Sequence, residues 1–174
     1  TAQLTNNGGR VVLGADETIT SFYNSGTIDG TGKVLTATGV AELRAGSVVN
    51  ADLNASSATG LQVVGDTLLN GRSLGSVVSV GDGVTLTTGS GNGHLAATTA
   101  LTLAGSGKLA LGGNETLATI ADTAANQIGL GGSTLTLTGS STLRGTITGT
   151  SASTLTVNGN LAAGNSHRTY VIPD

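Results

Sequence analysis

The sequence predicts an all-β fold, a parallel solenoid of about nine coils with 17–20 residues in each. Three observations predict it. Small and β-branched residues dominate the chain, short alternating strands recur at a steady spacing, and a long block of sequence occurs twice. The 174 residues include 29 glycines spread throughout, with Thr and Val frequent. Such a chain is a poor helix former, because glycine is costly to order and β-branched side chains lose rotamer freedom in a helix.

The strands read as triplets: Val84-Thr85-Leu86, Leu101-Thr102-Leu103, Leu135-Thr136-Leu137 and Leu155-Thr156-Val157. In each, the aliphatic residues share one side and the threonine takes the other. Turn formers accompany them, as in Gly81-Asp82-Gly83, Thr138-Gly139 and Asn158-Gly159. Glycine permits positive φ there, and Asn and Asp bond their own backbone. Leu86 lies 17 residues before Leu103, Leu103 lies 34 before Leu137, and Leu137 lies 20 before Val157. A unit this short suits one solenoid coil of two or three strands.

A larger repeat overlies the coils. Gly9-Arg10-Val11-Val12-Leu13-Gly14-Ala15-Asp16-Glu17-Thr18-Ile19 aligns with Gly107-Lys108-Leu109-Ala110-Leu111-Gly112-Gly113-Asn114-Glu115-Thr116-Leu117 at an offset of 98. Leu35–Gly39 aligns with Leu135–Gly139, and Leu43-Arg44 with Leu143-Arg144, at an offset of 100. The chain therefore reads as one segment, 1–174, with an internal duplication of about 8–100 onto 107–165. Residues 166–174, which include Tyr170-Val171-Ile172-Pro173-Asp174, break the pattern and read as a tail or the start of a further coil. One coil buries too little to stand alone, so stacking must supply both the aliphatic core and the backbone partners. At about 4.8 Å per coil the stack makes a rod on the order of 40 Å long. Small aliphatics such as Leu111 and Leu135 should point inward. Large aromatics should be excluded from so narrow an interior.

Composition excludes several functions. Only 10% of residues are charged, against roughly 25% in an ordinary globular domain. The seven Lys and Arg are scattered and the net charge is −3, which argues against a nucleic-acid surface. No apolar run approaches the ~18 residues of a membrane-spanning helix. Cysteine is absent, so disulfides and thiolate metal sites are excluded and export in an unfolded state is unhindered. Methionine is absent as well, and the chain reads as a segment of a longer protein.

The blocks Gly107–Leu117 and Leu135–Gly139 resemble the repeats of bacterial filamentous-haemagglutinin-like large exoproteins, which are similar in turn to autotransporter passengers. Asn24–Gly32 and Ser47–Leu53 have the same character. The resemblance covers about residues 8–165. It implies a right-handed parallel β-helix and two-partner or autotransporter secretion through an outer-membrane β-barrel transporter. It further implies a place on the bacterial cell surface or in the secreted matrix, and a part in cell adhesion, biofilm and virulence. The partner so implied is a carbohydrate or protein receptor on a host cell or in the matrix. No cofactor is expected.

Candidate sites were weighed on residue chemistry. Asp66 and Asp82 each end a Val-Gly-Asp triplet, 16 residues apart. On adjacent coils their oxygens would suit a hard cation, whereas as turn residues they would serve the backbone. Sugar cleavage needs two carboxyl groups about 5–9.5 Å apart, and Asp16 with Glu17, Asp29, Asp52, and Glu115 with Asp122 are the available acids. Glu17 and Glu115 recur within the duplication, as structural residues would, and aromatic platforms for a sugar are scarce. The chain is therefore expected not to be an enzyme, the alternative being a polysaccharide-processing β-helix. His94 and His167 read as solvated loop residues. Gly26–Lys33 fails as a phosphate loop, because its glycine spacing is wrong by one and Val34 stands where Ser or Thr is required. Outward threonines form a last candidate: Thr85, Thr87, Thr134, Thr136, Thr138, Thr154 and Thr156 are expected to line up as one surface face. Regular threonine arrays on a flat β-face would suit ice binding, or simply a wet strand surface.

Overall fold

The computed structural model describes residues 2–163, and every regular element in it is a strand. The first coil holds β1 (Gln3–Asn6), β2 (Arg10–Val12) and β3 (Glu17–Ile19). The second holds β4 (Ser21–Asn24), β5 (Thr27–Asp29) and β6 (Val34–Ala37), and the third β7 (Ala41–Leu43), β8 (Ser47–Val49) and β9 (Asp52–Ala55). Two coils then carry two strands each: β10 (Leu61–Val63) with β11 (Thr67–Leu69), and β12 (Val77–Val80) with β13 (Thr85–Thr88). The sixth coil restores the triplet with β14 (Ala100–Leu103), β15 (Lys108–Ala110) and β16 (Glu115–Leu117). The seventh holds β17 (Thr119–Ala121), β18 (Gln127–Gly129) and β19 (Thr134–Leu137). The eighth holds β20 (Ser141–Leu143), β21 (Thr146–Thr148) and β22 (Thr154–Val157), and β23 (Leu161–Ala163) follows it.

The first strands of all coils form a nine-stranded sheet, β1-β4-β7-β10-β12-β14-β17-β20-β23. The second strands form an eight-stranded sheet, β2-β5-β8-β11-β13-β15-β18-β21. The third side carries two short sheets, β3-β6-β9 and β16-β19-β22. Each strand pairs in parallel with the strand one coil away. This is the predicted parallel β-solenoid, with about eight turns rather than nine. Leu61 pairs with Val78 and Val77 with Ala100, so the advance per coil spans 17 to 23 residues. The excess over the expected 20 falls where the glycine-rich stretch Gly89–Gly93 is inserted after β13.

The duplicated blocks fall on equivalent sides five coils apart. Gly9–Ile19 and Gly107–Leu117 supply β2–β3 and β15–β16, while Leu35 and Leu135 lie in β6 and β19. The change of offset is located in one corner. β4 and β5 are joined by Ser25-Gly26, whereas Asp122–Asn126 join β17 and β18.

Alternation within each strand sends one set of side chains inward, and parallel register stacks them in columns. On the first side the column runs Phe22, Ala41, Leu61, Val78, Leu101, Ile120. All six are at most 1% exposed. Leu111 and Leu135 are buried as expected. Phe22 corrects the expectation about aromatics: it is fully buried, and the small Ala41 stands beside it in the column. On the third side the column runs Leu35, Leu53, Ser73, Leu95. Ser73 is fully buried there with its Oγ unpartnered. Close stacking also dictates glycine at some corners: a Cβ on Gly113 would overlap the carbonyl oxygen of Gly91 on the preceding coil.

Two stability measurements check this packing. Leu101→Ala should lower the urea-unfolding free energy by about 2–5 kcal/mol. Val12→Ala, at a site 63% exposed, should change it by less than about 0.5 kcal/mol. Ser73→Ala removes an unsatisfied hydroxyl and should be neutral, or stabilise by up to about 1 kcal/mol. A large loss at Ser73 with none at Leu101 would contradict the assigned columns.

Candidate functional site

The acids that sequence reasoning singled out sit at corners, and each takes an amide of the following coil. Asp66 Oδ1 accepts from Thr85 N at 2.7 Å, and Asp82 Oδ1 accepts from Ser106 N at 2.8 Å and Ser106 Oγ at 2.9 Å. Asp66 and Asp82 occupy the same turn of successive coils, so the structure does stack them. Their bonds give both a structural task, and the described residues hold no group of three or more His, Asp or Glu suited to a metal ion. Asp82 is held below its ordinary value of 3.8, chiefly by the Ser106 backbone bond.

The other acids behave alike. Asp16 accepts from Val34 N at 2.9 Å, and Asp52 from Arg72 N at 2.8 Å, with the Arg72 guanidinium also on Asp52 Oδ2 at 2.9 Å. Asp122 accepts from Arg144 N and, at 3.1 Å, from Gly145 N. Asp29 bonds Asn50 Nδ2 and Arg10 Nε, which lower its pKa in that order. Asn70 Nδ2 continues this ladder to Asn50 Oδ1 at 2.8 Å. Glu115 and Asp122 stand on different sides, in β16 and after β17, and so do not face each other across one cleft as a glycosidase pair would.

Glu115 differs from the rest. It begins β16, pointing inward, and is 2% exposed. On the preceding coil the third side narrows to the single bridges Leu53–Ser73 and Ser73–Leu95. Glu115 fills the gap: its Oε1 accepts from His94 N and its Oε2 from Leu95 N, both at 3.0 Å. Burial pushes the carboxyl up from its ordinary 4.5, against the pull of the Leu95 and His94 amides. His94 is a correction to the sequence reading. It is buried rather than solvated, with Nδ1 3.0 Å from Gly71 O and Nε2 unpartnered beneath Gly91. The sequence signal was present in Leu95, an aliphatic at coil spacing from Leu117 that places its neighbour at the wall. His167 lies outside the described residues.

The threonines divide between two sides rather than forming one face. Thr85 and Thr87 belong to β13 in the eight-stranded sheet. Thr134 pairs with Thr154, and Thr116 with Thr136 and Thr156, on the third side, with Thr138 just past β19. The earlier expectation failed because coil number alone does not say which side a triplet occupies.

Two surface depressions remain. One, of about 490 Å³, lies on the eight-stranded sheet over Val48, Leu68, Asp66, Thr85 and Thr87. The other, of about 450 Å³, lies where the third side is interrupted, between Arg72, Leu74, Asn92, Ala97, Asn114 and Thr116. Both are shallow and mix aliphatic floors with hydroxyl and amide edges, an arrangement that can contact a ligand but brings no acid–base pair onto it.

Glu115 yields a pH test. Its folded pKa is raised, so the unfolded chain ionises first and stability falls as pH rises above 4.5. Asp29 and Asp82 have the opposite sign: their contributions are present above 3.8 and lost as pH falls through their lowered folded values. Glu115→Gln should therefore remove a component of stability loss between acid and neutral pH, seen in urea midpoints across that range. It should also weaken the fold at neutral pH, because an amide NH₂ would face a backbone N–H. Identical pH profiles for the two proteins would contradict the assignment.

Compared with protein-family models, curated protein sequences and solved structures, the chain gives no match.

Proposed function

We propose that this chain is a structural, non-catalytic rod segment of a secreted bacterial cell-surface adhesin or biofilm-matrix exoprotein. One observation carries the proposal: Asp16, Asp52, Asp66, Asp82, Asp122 and Glu115 are each bonded to backbone amides of a neighbouring coil. The acids that catalysis would require are engaged in holding the rod together. The rod extends and displays its surface, and a receptor of carbohydrate or protein meets shallow features such as the two depressions. A chain without cysteine suits passage unfolded through an outer-membrane β-barrel transporter. A solenoid then suits folding at the surface, since each coil completes the bonding of the one before.

Beads coated with the purified chain test the proposal against host-cell monolayers and polysaccharide-coated surfaces, beside a glycan-turnover panel. Saturable bead attachment without turnover is expected. Reproducible glycan cleavage abolished by one Asp or Glu substitution would overturn the proposal in favour of a polysaccharide-processing enzyme.

A second reading has its own observation. Thr116, Thr136 and Thr156 stand in register, as do Thr134 and Thr154, at about the 4.8 Å coil spacing. Such a lattice supports ice binding. Thermal hysteresis that is lost in Thr136→Tyr would favour it over adhesion, and its absence in the unaltered chain would exclude it.

A further inference from the structure

Four Asn-Gly pairs occur among the described residues: Asn7-Gly8, Asn70-Gly71, Asn92-Gly93 and Asn158-Gly159. This dipeptide is chemically labile. The glycine amide nitrogen attacks the carbonyl carbon of the asparagine side chain, losing its proton as ammonia leaves, and a succinimide ring closes. Water then opens the ring at either carbonyl, giving aspartate or isoaspartate. Glycine favours the attack because no Cβ obstructs it and its backbone is free to adopt the required angles. The nitrogen must first leave any hydrogen bond it makes, and the side chain must be free to swing toward it.

The structure divides the four pairs. Gly71 N donates to Val49 O at 2.9 Å, and Asn70 Nδ2 donates to Asn50 Oδ1 at 2.8 Å. Gly93 N donates to Asn114 O at 2.9 Å, and Asn92 Oδ1 accepts from Asn114 N at 2.9 Å. At both pairs the attacking nitrogen and the side chain under attack are held by an adjacent coil. The other two pairs lack this restraint. Asn7 and Gly8 are exposed, neither the Asn7 side chain nor Gly8 N has a hydrogen-bond partner among the described residues, and Gly8 has a φ of 93° with open space around it. Asn158 is held only through its backbone N on Leu137 O at 2.8 Å. Its side chain is exposed, and Gly159 N makes no bond to the described residues.

We propose that Asn7 and Asn158 are sites of spontaneous deamidation and isoaspartate formation in the folded protein, and that cross-coil bonds protect Asn70 and Asn92. Each event replaces a neutral amide with a carboxylate. Where isoaspartate forms, it also adds a backbone methylene at a corner outside the strands.

The test holds the full chain in mildly alkaline buffer at physiological temperature, folded in one sample and in concentrated urea in another. Peptide mapping by mass spectrometry follows each asparagine, with isoaspartate separated chromatographically. In the folded sample Asn7 and Asn158 should convert at least about tenfold faster than Asn70 and Asn92, the factor set by freeing one or two hydrogen bonds. In urea the difference should collapse. A double variant, Asn7→Gln with Asn158→Gln, should abolish the folded-state conversion while keeping the fold. Conversion of Asn70 or Asn92 at the rate of Asn7 in the folded chain would overturn the proposal. So would persistence of the tenfold difference in urea, or stable Asn7 and Asn158 in a folded sample whose urea counterpart reacts.

Discussion

Every coil of this molecule depends on its neighbours for hydrogen-bond partners. The strands are three or four residues long and cannot satisfy their own amides, so each ladder bond runs to the coil above or below. Parallel pairing with constant side identity follows. Once Leu61 is opposite Val78 and Val78 opposite Leu101, the inward positions align and an aliphatic column is enclosed. A slip of one residue would turn the whole column outward. Backbone pairing and core burial therefore select the same register.

The side chains reinforce that register where strands give way to corners. Asp16, Asp52, Asp66 and Asp82 accept amides that no ladder carbonyl reaches. Asn126 makes a comparable connection from inside, its Nδ2 donating to Gly107 O at 3.0 Å. The largest departure from regular winding is the interrupted third side at Ser73 and Leu95, and there Glu115 supplies both acceptors from within the core. A buried carboxylate is costly, but two orphaned buried amides would be costly as well. Glu17 holds the matching inward position in the first coil, opposite Leu35, where it is exposed.

Much of this was legible in the residues. The alternating Leu-Thr-Leu triplets gave strands and their inward faces, and the 17–20 spacing gave coils. The recurrence of Glu17 and Glu115 marked them as structural. What could not be read was which side of the coil each triplet occupies, because the number of residues in each corner varies. Ser25-Gly26 and Asp122–Asn126 serve the same corner with different lengths. That ambiguity merged Thr85 and Thr87 with a threonine column on another side. His94 looked like a loop residue for a similar reason: its glycine-rich approach is a loop, but the imidazole folds beneath it. The partners of the acids were also hidden, since an acceptor one coil away lies about twenty residues distant in sequence.

In-register parallel stacking is tested most directly by cross-coil proton contacts in solution. Nuclear Overhauser measurements on isotope-labelled protein should connect the backbones of Leu61 with Val78, Val78 with Leu101, and Thr136 with both Thr116 and Thr156. Contacts of the antiparallel type, or pairings displaced by a residue along these columns, would contradict the account.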